Sequence, residues 1–517
     1  MLKDVNSEDL RGAIELACRA MAGALNADDG DMPFFSATAW PDPHLSFSRH
    51  HGESHVPGRH LNALLNAKDL GFSVDEHAVR CEERAAFFSF SGAAPLPMSR
   101  YEISDPGPHF FLDHNCREGM FALYALSRFE GNEKADRLAR EMIAYINAHF
   151  LPDFAWDGDL ESRGVRTMLS PFIAGMARMI GPLVKYYVSS GREPALTLAR
   201  ALADRALAHY PEDGSFDPVR IGTSHAHSIT CVLSSLAQLA DETGDAGMLS
   251  RVKAFYDDGL HALHNELGWC YEDTGRRTGR GEVNNSGDIL ETALILGKHF
   301  GAAYLEDAER YIRAHILPSQ LRDVSFIPDT EEAGAPDGRR HVAQRLRGAF
   351  GFPAPYGHYP KRESESDGRR NIQFNLDIVG GACASLCEAC RACVSYEEGL
   401  HRVQLLFDRE TEHIRVRTAY DAGELSVTVK DPGPLYIRLP SWLDRTSLRC
   451  SSGSRTEKDW LIVESPAPGE EILIRFALPE REILMPFGGG TLRARLRGDR
   501  VLAMENEGMP FTFFPEL

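Results

Sequence analysis

The chain has 517 residues, of which 43% are hydrophobic and 25% are charged, and its formal net charge is −19. This composition is ordinary for a globular protein, and the length predicts one large domain with a smaller one beside it. The acidic balance, without a stripe of Lys and Arg, argues against a nucleic-acid partner.

The first 30 residues hold acids early and lack an uninterrupted apolar run, so they do not resemble a secretory signal. No segment reaches the roughly 18 apolar residues of a membrane span. Ten cysteines in such a chain indicate reduced thiols. We therefore expect a cytoplasmic protein that has no membrane partner.

Residues 7–26 predict an amphipathic helix, and a stretch rich in Pro and His follows over residues 32–60. This stretch contains His50, His51, His55 and His60. We interpret it as a polar lid or wall on the helices, with direct substrate contact by one histidine as the alternative. The spacing of these histidines matches no usual zinc pattern.

From about residue 110 to 320 the sequence repeats a long apolar helix, a glycine turn and a second helix rich in Ala, Arg and Glu. The turns lie near Gly131, Gly191, Gly244 and Gly301, roughly 53–60 residues apart. This period exceeds that of the tetratricopeptide (~34 residues) and HEAT (~40–47 residues) repeats, and it favours a closed toroid over an open solenoid. With hairpins at the N-terminal end and around residues 373–396, about six pairs result. Residues 1–395 therefore predict an (α/α)6 barrel.

After Tyr396 the hydrophobic pattern changes to a period near two, interrupted by Gly, Asp and Pro turns. Seven or more short segments show this alternation, which is typical of antiparallel strands. Residues 396–517 therefore predict a β-sandwich that packs against the barrel. The expected fold class is mainly α, an (α/α)6 toroid followed by an antiparallel β-sandwich.

In a toroid of this type the loops before the inner helices meet at one end, so the polar residues that precede the long apolar helices are the candidate site. Acids, aromatic rings and imidazoles together suit carbohydrate chemistry, because rings stack on sugar faces and two carboxyls supply acid and base. In chain order, the five places that carry them are Asp113, His114 and Glu118; Trp156, Asp157, Asp159, Glu161 and Arg166; His225 and His227; Glu282 and Asp288; and Tyr356, His358 and Asp377.

We predict that Glu282 is the general acid or base, with Asp159 or Asp288 as its partner. For each acid the alternative is a helix N-cap or a surface charge. Glu282 is the best candidate because it lies before the predicted cap. The residues predicted to hold the sugar are His225, His227, Tyr356, His358, Trp156, Arg166, Asp113 and His114.

A cysteine run, CASLCEACRAC, places Cys383, Cys387 and Cys390 in the C-x3-C-x2-C spacing of some iron–sulfur proteins. The run lies in an Ala-rich helical segment, where positions i, i+4 and i+7 share one face. Small soft side chains on such a face let helices approach closely. We therefore expect packing, and neither a cofactor nor a metal.

Four segments in this order resemble glycoside hydrolase family 127, the β-L-arabinofuranosidases: HAHSITCVLSSLAQLADETGD, the helix led by GEVNNSGD, GGACASLCEACRACV and LYIRLPSW. The resemblance covers about residues 220–450 and implies an (α/α)6 barrel with β-sandwiches. It implies that His225 is an active-site histidine and that Glu282 matches the Glu of a zinc-binding Glu-x-Cys motif. Asn284 replaces the Cys of that motif, and Ala382-Cys383 stands where the family has adjacent cysteines. The resemblance thus supports a glycosidase pocket without zinc–cysteine catalysis.

We expect an exo-acting glycoside hydrolase on small oligosaccharides or glycosides, with a small carbohydrate as partner and a homodimer as a possible assembly. A lyase or a sugar epimerase on the same toroid is the alternative enzyme, using His and Tyr as base and acid. The alternative without catalysis is a helical-repeat binding scaffold with an open groove.

Overall fold

The computed structural model describes residues 3–274, 281–328, 334–350, 372–487, 490–505 and 514–517. In these ranges twelve helices have ten or more residues. They are α1 (Leu10–Ala22), α2 (Val56–Asp69), α3 (Glu76–Ser89), α4 (Cys116–Glu130), α5 (Glu133–His149), α6 (Ile180–Ser190), α7 (Glu193–Leu207), α8 (Ala226–Thr243), α9 (Ala246–Asp257), α10 (Val283–Phe300), α11 (Ala302–Tyr311) and α12 (Asp377–Ala392).

The even-numbered helices form a closed inner ring, because each contacts the next and α12 contacts α2. The odd-numbered helices form the outer ring: α3, α5, α7, α9 and α11 each pack on the preceding inner helix, and α1 packs on α12. The first helix of the chain therefore covers the last. This is the predicted (α/α)6 toroid, and the fold prediction is confirmed.

The sequence dictates which helices lie inside. The inner helix α8 is buried along almost its whole length, whereas the outer helix α5 buries one face only. Three of the predicted hairpin turns end an inner helix at a left-handed glycine, with φ of 62° at Gly131 and 66° at both Gly191 and Gly244. Glycine adopts this conformation without steric cost, so the chain reverses there into the outer helix.

The segment rich in Pro and His contains short strands and the start of α2. Strand Ser36–Trp40 pairs with His44–Ser46 and with Ile372–Asn375, which leads into α12. His60 lies inside α2, where Nδ1 is 2.6 Å from Glu82 Oε1 and Nε2 is 3.0 Å from Leu376 O. The segment thus ties the start of α2 to the start of α12.

Two five-stranded sheets follow the helices. The strand order of the first sheet is Arg455–Glu457, Trp460–Val463, Leu435–Arg438, Leu400–Val403 and Val394–Glu397. The strand order of the second sheet is Arg409–Glu410, Ile414–Ala419, Glu424–Val429, Glu471–Arg475 and Arg449–Cys450. All their pairings are antiparallel except that of Leu400–Val403 with Leu435–Arg438. Their buried residues join the core of the toroid. The division at residue 395 stays a prediction.

A third sheet is formed by Glu480–Phe487, Gly490–Arg497 and Arg500–Met504. Met485, Leu492 and other residues of this sheet make a second, smaller core with Trp269 and Tyr271, which precede α10. The third sheet therefore supports the segment that enters α10.

All ten cysteines are free, and nine of them are buried. Cys383 packs inside the toroid, with Sγ 3.9 Å from the carbonyl oxygen of Ile14 on α1. The cysteine run thus serves helix packing. In the part of the chain that the structure describes, no helix is both long and apolar enough to cross a bilayer.

Candidate active site

A polar side chain lies at the N-terminal end of every inner helix. His55, His225 and Glu282 directly precede α2, α8 and α10, whereas His114 and Arg178 stand two residues before α4 and α6. Asp377 is the first residue of α12. We call the place where these six residues meet the polar hollow: His55, His114, Arg178, His225, Glu282 and Asp377.

Short distances show that these side chains meet. His55 Nε2 is 3.0 Å from Asp377 Oδ2, and His225 Nε2 is 4.0 Å from Glu282 Oε2. The ring of His114 lies 5.9 Å from that of His55 and 5.6 Å from that of His225. Residues more than 300 positions apart in the chain therefore meet at one place.

A buried carboxylate, Glu118 on α4, organises the floor of the hollow. Its Oε1 lies 2.9 Å from Arg178 Nη2, 3.1 Å from Arg117 Nη1 and 3.2 Å from Arg59 Nη2. Burial alone would raise the pKa of Glu118, but these guanidinium groups and His55 outweigh it and hold the pKa well below its ordinary value. Glu118 is therefore ionised and fixes three arginines.

Glu282 has the opposite environment. Burial raises the pKa of Glu282 to about 8, and the charges of Asp377 and Glu272 add to the effect. Asn284 Nδ2 donates a hydrogen bond to Glu282 Oε1 over 3.0 Å. At neutral pH the carboxyl group is therefore mostly protonated and can donate a proton.

The segment before α10 holds Glu282 and His225 together. Its backbone pairs with both: the Ala226 N–H donates to Glu272 O over 3.0 Å, and the Glu282 N–H donates to Cys270 O over 3.2 Å. The backbone of His225 also pairs with that of Asp273 in an isolated antiparallel β-bridge. Their separation is thus fixed by the backbone of residues 270–273, which the third sheet supports.

Asp377 is the ionised counterpart of Glu282. Burial would raise its pKa, but the hydrogen bond and charge of His55, together with Arg59, lower the pKa below its ordinary value. Both ring nitrogens of His55 face acceptors: Nε2 is 3.0 Å from Asp377 Oδ2, and Nδ1 is 2.9 Å from Asn115 Oδ1. Among the described residues no group donates to the buried Asp377 Oδ1. This oxygen therefore keeps an acceptor position that no described residue fills.

Four further imidazoles are uncharged because burial lowers their pKa values. The pKa falls to about 3 for His51 and to about 4 for His225, and it falls well below the ordinary value for His114 and His227. His114 Nδ1 is held 2.6 Å from Ala174 O, which leaves its Nε2 as an acceptor. His227 Nε2 accepts from Arg59 Nη2 over 3.0 Å.

Asp288 lies deeper, in the second turn of α10. Thr230 Oγ1 donates to its Oδ2 over 2.9 Å, and Arg117 Nη2 is 3.7 Å from its Oδ1. Burial raises the pKa of Asp288 to about 7. Asp288, Arg59 and Asn284 line a narrow cavity on the toroid axis. Asp288 is therefore close to the hollow but below its floor.

The other predicted residues are distributed around this site. Asp113 turns away from the hollow and accepts from the Ser170 N–H over 2.8 Å, and burial raises its pKa to about 6. Arg166 is exposed, with its guanidinium 4.5 Å from the Tyr101 ring. Tyr356 and His358 lie outside the described residues.

Two predicted residues belong to an aromatic cluster of the outer ring. The Trp156 ring packs 5.1 Å from Phe111 and 5.2 Å from Phe150. Asp159 Oδ2 accepts from the Tyr145 hydroxyl over 2.6 Å and pairs with Arg163. The structure therefore brings Glu282, His225, His227, His114 and Asp288 together, but it engages Trp156 and Asp159 elsewhere.

Sequence reasoning missed the three arginines of the floor. Arg59 and Arg117 lie within inner helices, and Arg178 precedes one. The sequence feature that could have identified them is a charged residue among apolar neighbours, on or next to a helix that the hydrophobic periodicity places in the inner ring. Asp377 is among the polar residues at the predicted helix entrances, but the sequence alone does not mark it as a partner of Glu282.

Two groups near the hollow carry metal-ligand atoms within 4.8 Å of one another: His51, His55 and His114, and His227, Cys231 and Asp288. In the first, both His55 nitrogens already have partners. The second lies beside Arg59 and Arg117, whose charges repel a cation. At the position of the Glu-x-Cys motif, Asn284 offers an amide and Cys383 faces α1. These residues therefore do not supply the thiolate-rich zinc site that the family resemblance implies.

The closed double ring of helices followed by β-sheets defines the class of this chain, a six-hairpin α/α toroid with its polar residues at the entrances of the inner helices. No protein-family model matches the chain, and no curated protein matches it either. The informative comparisons are therefore with solved structures.

One similar structure is a GH127 β-L-arabinofuranosidase from Geobacillus stearothermophilus T6, with 14% identity, 94% of this chain and 80% of that chain covered, and a TM-score of 0.57. A second similar structure is a GH127 β-arabinofuranosidase with 12% identity and a TM-score of 0.56. The match covers 95% of this chain and 79% of that chain. A third structure, described as a glycoside hydrolase, has 12% identity and a TM-score of 0.56. The match covers 86% of this chain and 77% of that chain. At this identity the shared feature is the fold, so the distant likeness to family 127 is confirmed at that level.

Proposed function

We propose that the chain is a glycoside hydrolase in which Glu282 donates the proton and Asp377 is the ionised partner. The supporting observation is that two carboxyl groups at the entrances of neighbouring inner helices have pKa values displaced in opposite directions. Such divergence distinguishes an acid from a base at one pH. Asp377 thereby takes the role that the sequence had suggested for Asp159 or Asp288.

The chemistry follows from these protonation states. Glu282 gives its proton to the glycosidic oxygen as the bond from that oxygen to the anomeric carbon breaks. Asp377 either attacks the anomeric carbon, forming a glycosyl ester that water then hydrolyses with Glu282 as the base, or takes a proton from the attacking water. The two courses leave opposite anomeric configurations in the product. The neutral His114, His225 and His227 supply hydrogen-bond partners for hydroxyl groups.

The position of the site supports action at the end of a small substrate. The six residues lie at one end of a closed helical ring, and the buried ion pairs of Glu118 with three arginines lie behind them. A site at the end of a closed ring receives a terminal sugar more readily than the middle of a polymer. The sugar is therefore expected to enter through the end of the ring that carries the helix N-termini.

The test compares substrates that have poor leaving groups with substrates that have good ones. Glu282→Gln should lose turnover of alkyl glycosides but retain it on dinitrophenyl glycosides, because a good leaving group departs without a proton. Asp377→Asn should lose both. Asp159→Asn is the matched control and should match the wild type. Equal losses for Glu282→Gln on both leaving groups would contradict the proton-donor role.

A second candidate, a sugar epimerase, is favoured by one observation. The imidazoles of His51, His114 and His225 are unprotonated at neutral pH, which is the form that a general base needs. An epimerase would exchange the hydrogen next to the carbonyl of a reducing sugar with solvent. Incubation of reducing sugars in D2O, followed by NMR, separates the two: deuterium in unchanged or epimeric sugar supports epimerisation, and released aglycone supports hydrolysis.

A further inference from the structure

A cluster of metal-ligand atoms lies on the outside of the toroid, away from the polar hollow. His77 and Cys81 are one helical turn apart on α3, so their side chains share one face. Asp31, from the loop that precedes strand Met32–Pro33, reaches the same place. The cluster therefore offers one nitrogen, one sulfur and one oxygen.

The spacing of the three atoms is that of a tetrahedral face. His77 Nε2 is 3.5 Å from Cys81 Sγ and 3.8 Å from Asp31 Oδ2, and Sγ is 3.9 Å from Oδ2. Zinc bonds of ordinary length at tetrahedral angles separate such ligand atoms by about 3.3–3.6 Å. A shift of a few tenths of an ångström, within the reach of side-chain rotation, would therefore complete the face.

We propose that Asp31, His77 and Cys81 bind a Zn²⁺ ion, with water at the fourth position. Thiolate, imidazole and carboxylate are the three ligand types that zinc takes in proteins, and the mixed set disfavours Mg²⁺ and Ca²⁺, which prefer oxygen alone. Cys81 is buried, whereas His77 is exposed, so an ion can enter from solvent. This inference is independent of the proposed function.

The cluster has one competing occupant, Arg84. Its Nη2 lies 3.6 Å from Cys81 Sγ and 3.8 Å from Asp31 Oδ2, and it donates to Gly30 O over 2.6 Å. The Arg84 side chain is about half exposed and can swing into solvent when zinc binds. If the cluster serves only to hold Arg84, zinc will not bind, and the two explanations make opposite predictions.

The ion would fix a loop that is linked to the hollow. Asp29, two residues before Asp31, bonds Arg100 through both carboxylate oxygens, over 3.0 and 2.6 Å. Arg100 Nε in turn donates to Glu53 Oε1 over 2.5 Å, and Glu53 stands two residues before His55. Zinc binding should therefore stabilise the loop and raise the melting temperature of the chain.

The test uses the full chain after removal of metal with a chelator. Titration with Co²⁺ should produce the charge-transfer absorption of a cobalt–thiolate bond, and Zn²⁺ should displace it at one ion per chain. Cys81→Ser should abolish the band. His77→Ala should weaken zinc binding by more than the roughly 10- to 100-fold that is typical of outer-sphere changes. Cys450→Ser and His299→Ala are the matched controls and should behave as the wild type.

The remaining outcomes overturn the proposal. They are the absence of a cobalt–thiolate band in the wild type, a band that persists in Cys81→Ser because another thiol provides it, and a melting temperature that does not respond to zinc. Because His77 and Arg84 are exposed, the metal-free His77→Ala variant should melt at the wild-type temperature. That comparison separates loss of the ion from loss of the fold.

Discussion

Replacement of Glu282 by Gln should stabilise the protein while it removes the proposed proton donor. The folded-state pKa of Glu282 is about 8, against an ordinary value of 4.5. Between these two pH values the folded chain holds a proton that the unfolded chain has released, so folding becomes less favourable as the pH rises. Below pH 4.5 this cost is absent, and above pH 8 it is complete.

The magnitude follows from the displacement of the pKa. At about 1.4 kcal/mol per unit, the ionisable group costs about 3 kcal/mol at pH 7 and about 5 kcal/mol above pH 8. The amide of the Glu282→Gln variant would not titrate, and its oxygen can still accept from Asn284. The variant should therefore melt close to the wild type at pH 5, several degrees higher at pH 7, and higher again at pH 9.

The assay is calorimetry or fluorescence melting of both proteins at the three pH values. Glu388→Gln is the matched control, because Glu388 pairs with Lys185 over 2.7 Å and its pKa is lowered by Lys185 and Arg391 despite its burial. That variant should be less stable than the wild type at pH 7. A difference between Glu282→Gln and wild type that does not change with pH would refute the reasoning.

The remaining predictions concern the same hollow. The value of kcat/KM should fall above pH about 8, where Glu282 loses its proton, and activated aryl glycosides should show no such fall in Glu282→Gln. Asp377→Asn should lower kcat by about 10²- to 10⁴-fold with little change in KM, as steady-state kinetics would show. Glu118→Gln should leave three buried guanidinium groups without their carboxylate and cost about 3–5 kcal/mol, measured as a fall in melting temperature.

The fold was accessible from the sequence because its signals are local and repeated. A helical pattern ended by glycine recurs at Gly131, Gly191 and Gly244, and a change of period after Tyr396 marks the strands. The stretch over residues 32–60 was harder, since its strands are short and one of them pairs with residues 372–375. A pairing across more than 300 residues leaves no local trace in the sequence.

The site was only partly accessible. The rule that polar residues precede the inner helices identifies Glu282, His225 and His114, because helix entrances can be read from periodicity. It also selected Asp159, whose carboxylate faces Tyr145 and Arg163 outside the hollow. A residue's distance from a helix start is local information. The side of the ring on which its loop closes depends on tertiary packing.

The pairing of Glu282 with Asp377 shows why such a site resists prediction from single residues. Neither acid is unusual in the sequence, and each pKa depends on groups that folding brings together. Asp377 is ionised because His55 and Arg59 hold it, and its charge then adds to burial in keeping the proton on Glu282. Removal of His55 should therefore raise the pKa of Asp377, because the hydrogen bond and the charge that lower this pKa are lost. A His55→Ala variant whose acidic limb of kcat/KM moves to higher pH would support this dependence, and an acidic limb that stays in place would exclude it.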